Sequence, residues 1–276
     1  MPITRHLARW YGWAASVPAD PQRGLRAPSD RPRIGVFVKT PALPVIELLA
    51  LAGLDFVCLD AEHSAFGRRE LDDALGMAGA LRLPAFVRVA AAMAPAILQA
   101  LDGGAAGLLV PHVDGRARAE EIARWSRPGS GGRGWSGSTR AAGYSTQPFA
   151  AALAAARHDP FVVAQIEDFD GLTDVEAIAA VPGIDALFFG AADLAVGMGV
   201  APGGPEIDAA FMRVASAARQ SGKPLMAFVS SAEGVARLAG RGAALIVAGS
   251  DQGLLLAGAR ALHATAAGLL LQQEIK

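Results

Sequence analysis

The sequence predicts an α/β fold, a (β/α)8 TIM barrel, because eight strand-like runs alternate with helical patterns from residue 33 onward. The runs are nearly continuous in Val, Leu, Ile and Phe, which is typical of parallel strands that are buried on both faces. A chain of 276 residues, 52% of them hydrophobic, is long enough to bury the core of one such barrel. We therefore expect a short irregular N-terminal arm, residues 1–32, and one barrel domain, residues 33–276.

The elements follow from local patterns taken in chain order. In the arm, a short helix is predicted over 3–15, and four prolines between residues 18 and 32 indicate irregular chain. The eight apolar runs predict strands over 34–38, 55–60, 84–89, 107–111, 161–166, 185–190, 224–229 and 244–248. The segments between them predict helices over 44–52, 67–82, 93–103, 115–126, 171–180, 206–221, 231–240 and 252–272. The last helix contains Leu269-Leu270-Leu271, an apolar stretch compatible with a buried surface between two copies of the chain.

One segment, residues 127–148, breaks the alternation and predicts a long loop before the fifth strand. Its glycines, from Gly129 to Gly143, are similar in density to those of a phosphate-binding loop. Such loops connect a strand to a helix, whereas this segment follows a helix and precedes no clear strand-to-helix turn. The sequence therefore argues against nucleotide binding at this loop.

Composition excludes several partners. The net charge is −1 and no basic block occurs, so a nucleic acid or an anionic membrane has no electrostatic attraction to the chain. The longest apolar runs are shorter than a membrane span and are broken by Gly and Arg. The N-terminal arginines Arg5 and Arg9 precede no unbroken apolar segment, so no signal peptide is predicted. The single Cys58 lies in an apolar strand, which indicates a buried thiol and fits a reducing, cytoplasmic location.

Polar residues follow the predicted strands where the chain leaves the barrel. In a TIM barrel these strand ends meet at one rim, where catalytic residues lie. The residues at this rim are Lys39, Asp60, Glu62, His63, Arg88, His112, Gln165, Glu167, Asp193 and Asp251. We therefore expect the active site among them.

Two of these residues, Glu167 and Asp193, end neighbouring strands that are joined by one crossover helix. Parallel strands joined in this way point in the same direction, so the two carboxylates are expected side by side. Hard oxygen ligands without a nearby cysteine suit Mg²⁺ or Mn²⁺. The alternative is that each acid simply opens a helix, where negative charge is favourable.

The second strand end supplies Asp60, Glu62 and His63, and the third supplies Arg88. A carboxylate beside an imidazole raises its basicity, which suits a general base, although a solvated His63 is the simpler alternative. Arg88 would place a permanent cation at the rim, able to hold a carboxylate or an enolate, unless it forms only a surface ion pair. His112 also ends a strand, and we expect it to have a supporting or packing role.

Taken together, these motifs resemble the metal-dependent (class II) pyruvate aldolases of the 4-hydroxy-2-oxoheptanedioate aldolase family, relatives of the citrate lyase β subunit. The resemblance covers residues 33–262 approximately. It is carried by the segments Leu59-Asp60-Ala61-Glu62-His63, Val87-Arg88-Val89, Leu101-Asp102-Gly103-Gly104, Gln165-Ile166-Glu167 and Gly190-Ala191-Ala192-Asp193-Leu194. The chain departs from the family at Ala191, where Pro is frequent, and at Lys39, where many members have a small or neutral residue.

The resemblance implies a role for each matched residue. Glu167 and Asp193 would bind Mg²⁺, Mn²⁺ or Co²⁺, and the backbone of Gly190, Ala191 and Ala192 would contact the carboxylate of the keto acid. Gln165 would hydrogen-bond in the same pocket, Arg88 would steady the enolate oxygen, and His63, positioned by Asp60, would move the hydroxyl proton. Lys39 would be a cation near the aldehyde.

The activity implied is reversible cleavage of a 4-hydroxy-2-keto acid to pyruvate and an aldehyde, in a homo-oligomer that is a hexamer built from dimers. Two alternatives remain open at this point. One is a carbon–carbon lyase acting on an acyl-CoA, against which the lack of a basic patch for the CoA phosphates argues. The other is a catalytically silent barrel that serves as a binding protein.

Overall fold

A computed structural model describes residues 29–158 and 160–273. They form a closed barrel of eight parallel strands in chain order, with β8 pairing back onto β1. The predicted (β/α)8 fold is confirmed. The predicted arm helix over 3–15 lies outside the described residues, and the division into an arm and a domain stays a prediction.

All eight predicted strands are present, with ends that differ from the predicted ones by at most two residues. Their bounds are β1 (Arg33–Val38), β2 (Phe56–Asp60), β3 (Ala85–Arg88), β4 (Gly107–Val110), β5 (Phe161–Ile166), β6 (Ala186–Phe189), β7 (Leu225–Val229) and β8 (Ala243–Ser250). The apolar runs were a sufficient signal because most residues on both faces of the strands are buried, one face in the barrel interior and one under the helices.

The helices are α1 (Leu43–Leu51), α2 (Arg68–Ala80), α3 (Ala94–Asp102), α4 (Arg116–Trp125), α5 (Phe149–His158), α6 (Phe169–Thr173), α7 (Val175–Ala180), α8 (Ala191–Met198), α9 (Pro205–Gln220), α10 (Ala232–Gly240) and α11 (Asp251–Gln273). Two of them, α5 and α8, were not predicted. The single helix predicted over 171–180 is instead the pair α6 and α7, which meet at Asp174, where the backbone leaves helical geometry.

Aromatic side chains fill the barrel interior. Phe56 contacts Phe86 edge-on, with ring centres 5.5 Å apart, and Phe86 contacts Phe161 in the same way at 5.8 Å. Gly107 provides the space for this stack, because a Cβ there would lie 2.4 Å from the Phe86 ring. Cys58 lies in the same interior cluster as a free, buried thiol, as the sequence predicted.

The glycine-rich loop 127–148 packs against α2 and α3 on the outside of the barrel. Its Arg140 side chain pairs with Asp72 of α2 at 2.8 Å, and the amide of Ala141 donates to the carbonyl of Asp102, the last residue of α3. Helices of a parallel barrel run against the strands, so the end of α3 lies near the start of the strands. Further along the loop, Arg140 and Tyr144 line a cavity together with Arg68 and Pro95, near the starts of α2 and α3.

The terminal helix α11 is almost entirely exposed on this single chain, including Leu254, Leu255 and Leu262. Residues Asp251–Leu270 reach a mean hydropathy of 1.3, so this helix has the length and composition of a membrane span. The sequence has no unbroken apolar run of this length here, so the property belongs to the helix as a whole. An exposed helix of this kind has an apolar surface that the single chain does not cover.

Candidate active site

The polar rim continues the inward face of the barrel. Cys58 and Phe86 belong to the interior cluster, so Asp60 and Arg88, two residues further along β2 and β3, also point inward. Val163 of β5 lies in the same cluster, which places Gln165 and then Glu167 on the inward face. Strand parity, available from the sequence, thus predicts which rim residues face the barrel axis.

Asp60 and Arg88 form a buried ion pair at the centre of the rim. Asp60 Oδ1 accepts from Arg88 Nε at 2.9 Å, and Oδ2 accepts from Nη2 at 2.6 Å. Burial would raise the pKa of the Asp60 carboxyl, but the hydrogen bonds and charge of Arg88 outweigh it and hold that pKa below its usual value. Underneath, the guanidinium lies 4.6 Å from the ring centre of Phe37. The pair therefore holds a fixed cation at the mouth of the barrel.

Lys39 joins this pair from β1. Its ammonium lies 3.5 Å from Asp60 Oδ2, and its side chain is 28% exposed. The backbone of Lys39 and Thr40 is fixed by Asp251, whose two carboxylate oxygens each accept one of their amides at 2.9 Å. The rim cation predicted at Lys39 is thus present, and it faces Asp60.

Glu167 lies buried at the end of β5. One of its carboxylate oxygens accepts from the amide of His112 at 2.8 Å, and the other accepts from the side-chain amide of Gln165. Burial raises the pKa of Glu167 despite these donors. Gly190 lies directly against it, because a Cβ there would be 2.6 Å from the Glu167 Cβ. The carboxylate therefore has one position, and it is fixed from three elements.

His112 lies among three carboxylates at the rim. Its backbone has a φ of 53°, in the left-handed region that few residues other than glycine adopt. Its imidazole lies 3.1 Å from Asp168 and 3.4 Å from Glu167 through Nδ1, and 3.6 Å from Glu62 through Nε2. Burial lowers the pKa of the ring, but the Asp168 hydrogen bond and the surrounding carboxylates outweigh it and raise that pKa. The supporting role expected for His112 stays a prediction, and its amide donates to Glu167 in keeping with that role.

Glu62 completes a group of three residues with His112 and Glu167, whose nearest ligand atoms all lie within 4.8 Å of one another. Glu62 Oε2 is buried and forms an ion pair with Arg88 Nε at 3.3 Å, without the geometry of a hydrogen bond. Burial raises the pKa of Glu62 against the opposing charge of Arg88.

His63 is held by its backbone, since its amide donates to Asp60 Oδ1 at 3.1 Å. The ring itself is 56% exposed and lies 3.7 Å from Glu62. Asp60 therefore positions the loop that carries His63, while its carboxylate oxygens face Arg88.

Asp193 lies in the first turn of α8, beyond the end of β6, and its side chain is exposed. Strands β5 and β6 are paired neighbours, so Glu167 and the loop that carries Asp193 do share one side of the rim. Gly190, Ala191 and Ala192 form the start of α8 on that same side.

Comparison with known proteins identifies the family. The profile of the HpcH/HpaI aldolase/citrate lyase family matches residues 33–257. The chain belongs to this family.

Similar proteins support this assignment over most of the length of the chain. The hydroxypyruvate/pyruvate aldolase of Pseudomonas aeruginosa is 35% identical over 241 residues, covering 86% of this chain and 89% of that protein. The 4-hydroxy-2-oxovalerate aldolase of Rhodococcus jostii is 34% identical over 237 residues, covering 85% and 91%. A solved structure of an HpcH/HpaI family protein from Burkholderia cenocepacia has a TM-score of 0.83 at 31% identity, covering 89% and 98%. The expected enzyme class, a carbon–carbon lyase of the aldolase type, is confirmed.

The donor set of this HpcH/HpaI aldolase fits a hard divalent cation. Gln165 Oε1 is a buried oxygen that receives no hydrogen bond, and the Gln165 side chain lies against the Glu167 carboxylate. Buried acceptors without donors are costly unless a cation or water satisfies them. Oxygen ligands with one imidazole and no thiolate favour Mg²⁺ or Mn²⁺ over soft metals.

Proposed function

We propose that the protein is a metal-dependent pyruvate aldolase that reversibly cleaves a 4-hydroxy-2-keto acid to pyruvate and an aldehyde. The observation that carries this proposal is the buried Glu167 carboxylate, fixed by His112, Gln165 and Gly190 on the same rim as the Asp60–Arg88 pair. A cation site and a fixed guanidinium at one strand-end rim are what the stabilisation of an enolate requires. Family membership supports the same reaction class.

We assign Glu167 and Asp193 as the ligands of the divalent ion, Mg²⁺, Mn²⁺ or Co²⁺. When bound, such an ion acts as a Lewis acid toward a keto acid. Glu62 and His112 lie on the other side of Glu167 and are the alternative partners for it. The amides of Ala191 and Ala192, at the start of α8, would receive the carboxylate of the keto acid, as helix N-termini do. The amide of Gly190, just before them, donates to the carbonyl of Ile166 at 2.9 Å and fixes this turn against β5.

Arg88 is assigned to the oxygen on which negative charge develops. Asp60 uses Nε and Nη2 of the guanidinium, which leaves Nη1 to donate to that oxygen. Gln165 orients the Glu167 carboxylate through its side-chain amide. His63, exposed at the rim, takes the proton from the C4 hydroxyl during cleavage, through a water molecule, and returns it during addition.

The direct test is pyruvate release from 4-hydroxy-2-keto acids, together with exchange of the pyruvate methyl protons in deuterated water. Both reactions are expected to require a divalent ion and to stop in EDTA. Cleavage of an acyl-CoA substrate in place of the keto acids would favour the citrate-lyase type of reaction. If neither proton exchange nor cleavage occurs with any of the metals supplied, the result would favour a binding protein and contradict the proposal.

We further propose that α11 packs against a second copy of the chain, in a hexamer made of dimers. Its leucines are exposed along the helix, while its first residue, Asp251, is buried against β1. A membrane is the less suitable partner, because Arg260 and His263 would lie near the middle of a span. A buried free thiol at Cys58 fits the cytoplasmic location that we propose. Sedimentation of the full chain and of a variant with Leu255 and Leu262 changed to Ser tests the assembly, and an unchanged mass would contradict it.

A further inference from the structure

A small cavity lies at the end of the barrel opposite the rim and has no place in the proposed chemistry. Its wall includes Ala105 and Pro160, which precede β4 and β5, so it lies where the strands begin. Residues of the glycine-rich loop 127–148 form another part of the wall. The volume of the cavity is about 80 Å³. Since a water molecule takes up about 30 Å³ of liquid, the cavity has room for about two or three water-sized groups.

The cation in the wall of this cavity is Arg133 of the glycine-rich loop. Its side chain is only 4% exposed, and its Nε is buried without a hydrogen-bond acceptor among the described residues. The carboxylate of Asp102 lies 3.7 Å from Nη1, which is too long for a hydrogen bond. Burial lowers the pKa of the Arg133 guanidinium, and the charge of Asp102 opposes this effect without cancelling it. The buried cation is therefore incompletely compensated.

Arg88 shows what the same edge of a guanidinium holds when it is satisfied. Nε and Nη2 of Arg88 donate to the two carboxylate oxygens of Asp60. In Arg133 the Nε of this edge has no acceptor. A carboxylate accepts two parallel, charge-assisted hydrogen bonds from such an edge, whereas a water molecule brings no compensating charge. What the Nε edge of Arg133 lacks is a carboxylate.

The remainder of the wall limits the size of that carboxylate. Small apolar side chains line the cavity from the loop and from α5, namely Ala141, Ala142, Ala155 and Ala156. A methyl group packs well against such a wall, but a branched substituent exceeds the available volume of about 80 Å³. The side chain of Asp102 is 31% exposed, so the cavity is open to solvent on that side. An anion of one or two carbons can therefore enter and fill it.

We propose that the cavity beside Arg133 binds a small monocarboxylate, of the size of formate or acetate, whose oxygens accept hydrogen bonds from the Nε edge of Arg133. The bound anion connects the glycine-rich loop to α5 and to the end of α3, and so stabilises the folded chain. This site is separate from the rim and does not depend on the proposed aldolase function.

The test measures the melting temperature of the full chain in EDTA, in sodium acetate and in sodium pivalate, each at about 100 mM. Pivalate has the same charge as acetate but carries three methyl groups, which the cavity cannot hold. Acetate should raise the melting temperature by about 2–4 °C relative to pivalate, the shift expected for a weak ligand that binds only the folded state. EDTA removes divalent ions, so acetate cannot act as a metal ligand at the rim.

Three variants assign the effect to this cavity. Arg133→Met should abolish the difference between acetate and pivalate, whereas Arg124→Met, which changes an exposed arginine on α4, is the matched control and should keep it. Asp102→Asn removes the negative charge that lies beside the guanidinium and should enlarge the shift. An ion pair between Arg133 and Asp102 with a purely structural role does not predict this gain.

Equal melting temperatures of the wild-type protein in acetate and pivalate would overturn the inference. An acetate effect that persists in Arg133→Met would also overturn it. If Arg133→Met does not fold, the wild-type comparison and Asp102→Asn still decide, because a smaller shift in Asp102→Asn than in the wild type would contradict an anion bound beside Asp102. None of these measurements uses the aldolase activity, so they are independent of the outcome for the proposed function.

Discussion

Gly190 of the β6–α8 turn lies in contact with Glu167 at the end of β5, so closely that a side chain on Gly190 would occupy the space of the carboxylate. A Cβ at position 190 would be 2.6 Å from the Glu167 Cβ and 3.3 Å from its Oε2. The glycine is not required by its backbone angles, since its φ is −90°. The close approach to Glu167 alone accounts for a glycine at this position. The same contact links the start of α8 to the proposed ligand.

Gly190→Ala is therefore expected to displace Glu167, to weaken metal binding and to destabilise the protein by about 1–3 kcal/mol, the usual cost of overpacking. Gly197→Ala is the matched control on the same helix, because a Cβ there meets no atom within 4 Å. The control should bind metal normally and gain about 0.5–1 kcal/mol, as expected for alanine in place of a helical glycine. Urea denaturation and calorimetric metal titration measure both effects. Normal metal affinity in Gly190→Ala would show that Glu167 is not a ligand.

Glu167→Gln and Asp193→Asn are each expected to abolish aldol cleavage and to reduce Mn²⁺ affinity. The loss of affinity should be about 100-fold or more, because removing a group that only supports a ligand already lowers metal affinity by about 10- to 100-fold. Asp170→Asn, which changes an exposed acid at the start of α6, is the control and should bind Mn²⁺ like the wild type. Calorimetric titration distinguishes the two ligand sets. If Glu62→Gln loses affinity while Asp193→Asn keeps it, the ion is held by Glu62, His112 and Glu167.

His63→Ala is expected to slow aldol cleavage by roughly 10²- to 10⁴-fold, the range of general acid–base catalysis. Decarboxylation of oxaloacetate forms the same enolate without removing a hydroxyl proton, so it should be affected much less. Initial rates of the two reactions provide the comparison. Equal losses in both would assign His63 to the enolate step and not to the hydroxyl proton.

A Schiff-base mechanism would need a reactive lysine in the pocket, and Lys39 is the lysine at the rim among the described residues. Lys223 lies before β7, at the other end of the barrel, where its ammonium donates to the carbonyl of Val181. We expect borohydride with pyruvate to trap no adduct, and EDTA to remove an activity that Mg²⁺, Mn²⁺ or Co²⁺ restores. A pyruvyl adduct on Lys39, detected by peptide mass spectrometry, would replace the metal-based mechanism.

The metal-free protein is expected to lose stability as the pH rises above the usual range of a glutamate. Burial raises the pKa of Glu62 and of Glu167 above 4.5, so their ionisation is less favourable in the folded state than in the unfolded state. The contribution of these two side chains to folding stability is complete below pH 4.5, and it is lost as the pH rises through their raised pKa values. A divalent ion reverses this loss, so Mn²⁺ should increase the melting temperature more at about pH 8 than at about pH 5. An equal increase at both values would contradict the involvement of these two carboxylates.

Much of the site was predictable from the sequence because the relevant signals are local. Apolar runs give the eight strands, chain order in a barrel gives their neighbours, and strand parity places Asp60, Arg88, Gln165 and Glu167 on the inward face. The polar residues at the strand ends are then expected to lie together at one rim. This expectation requires no knowledge of distances. Each of these inferences uses only two or three residues at a time, so a single sequence is enough to make them.

The tertiary structure decided which of those residues touch. Asp60 lies against Arg88 and not against the ring of His63, and His112 reaches Glu62 and Glu167 from a left-handed turn that no local pattern indicated. Phe228 faces the mouth because the interior below it is already filled by other phenylalanines. These contacts join residues that are 28 to 191 positions apart, such as Asp60 with Arg88 and Phe37 with Phe228. They depend on the register and closure of the barrel, which only the packed chain determines.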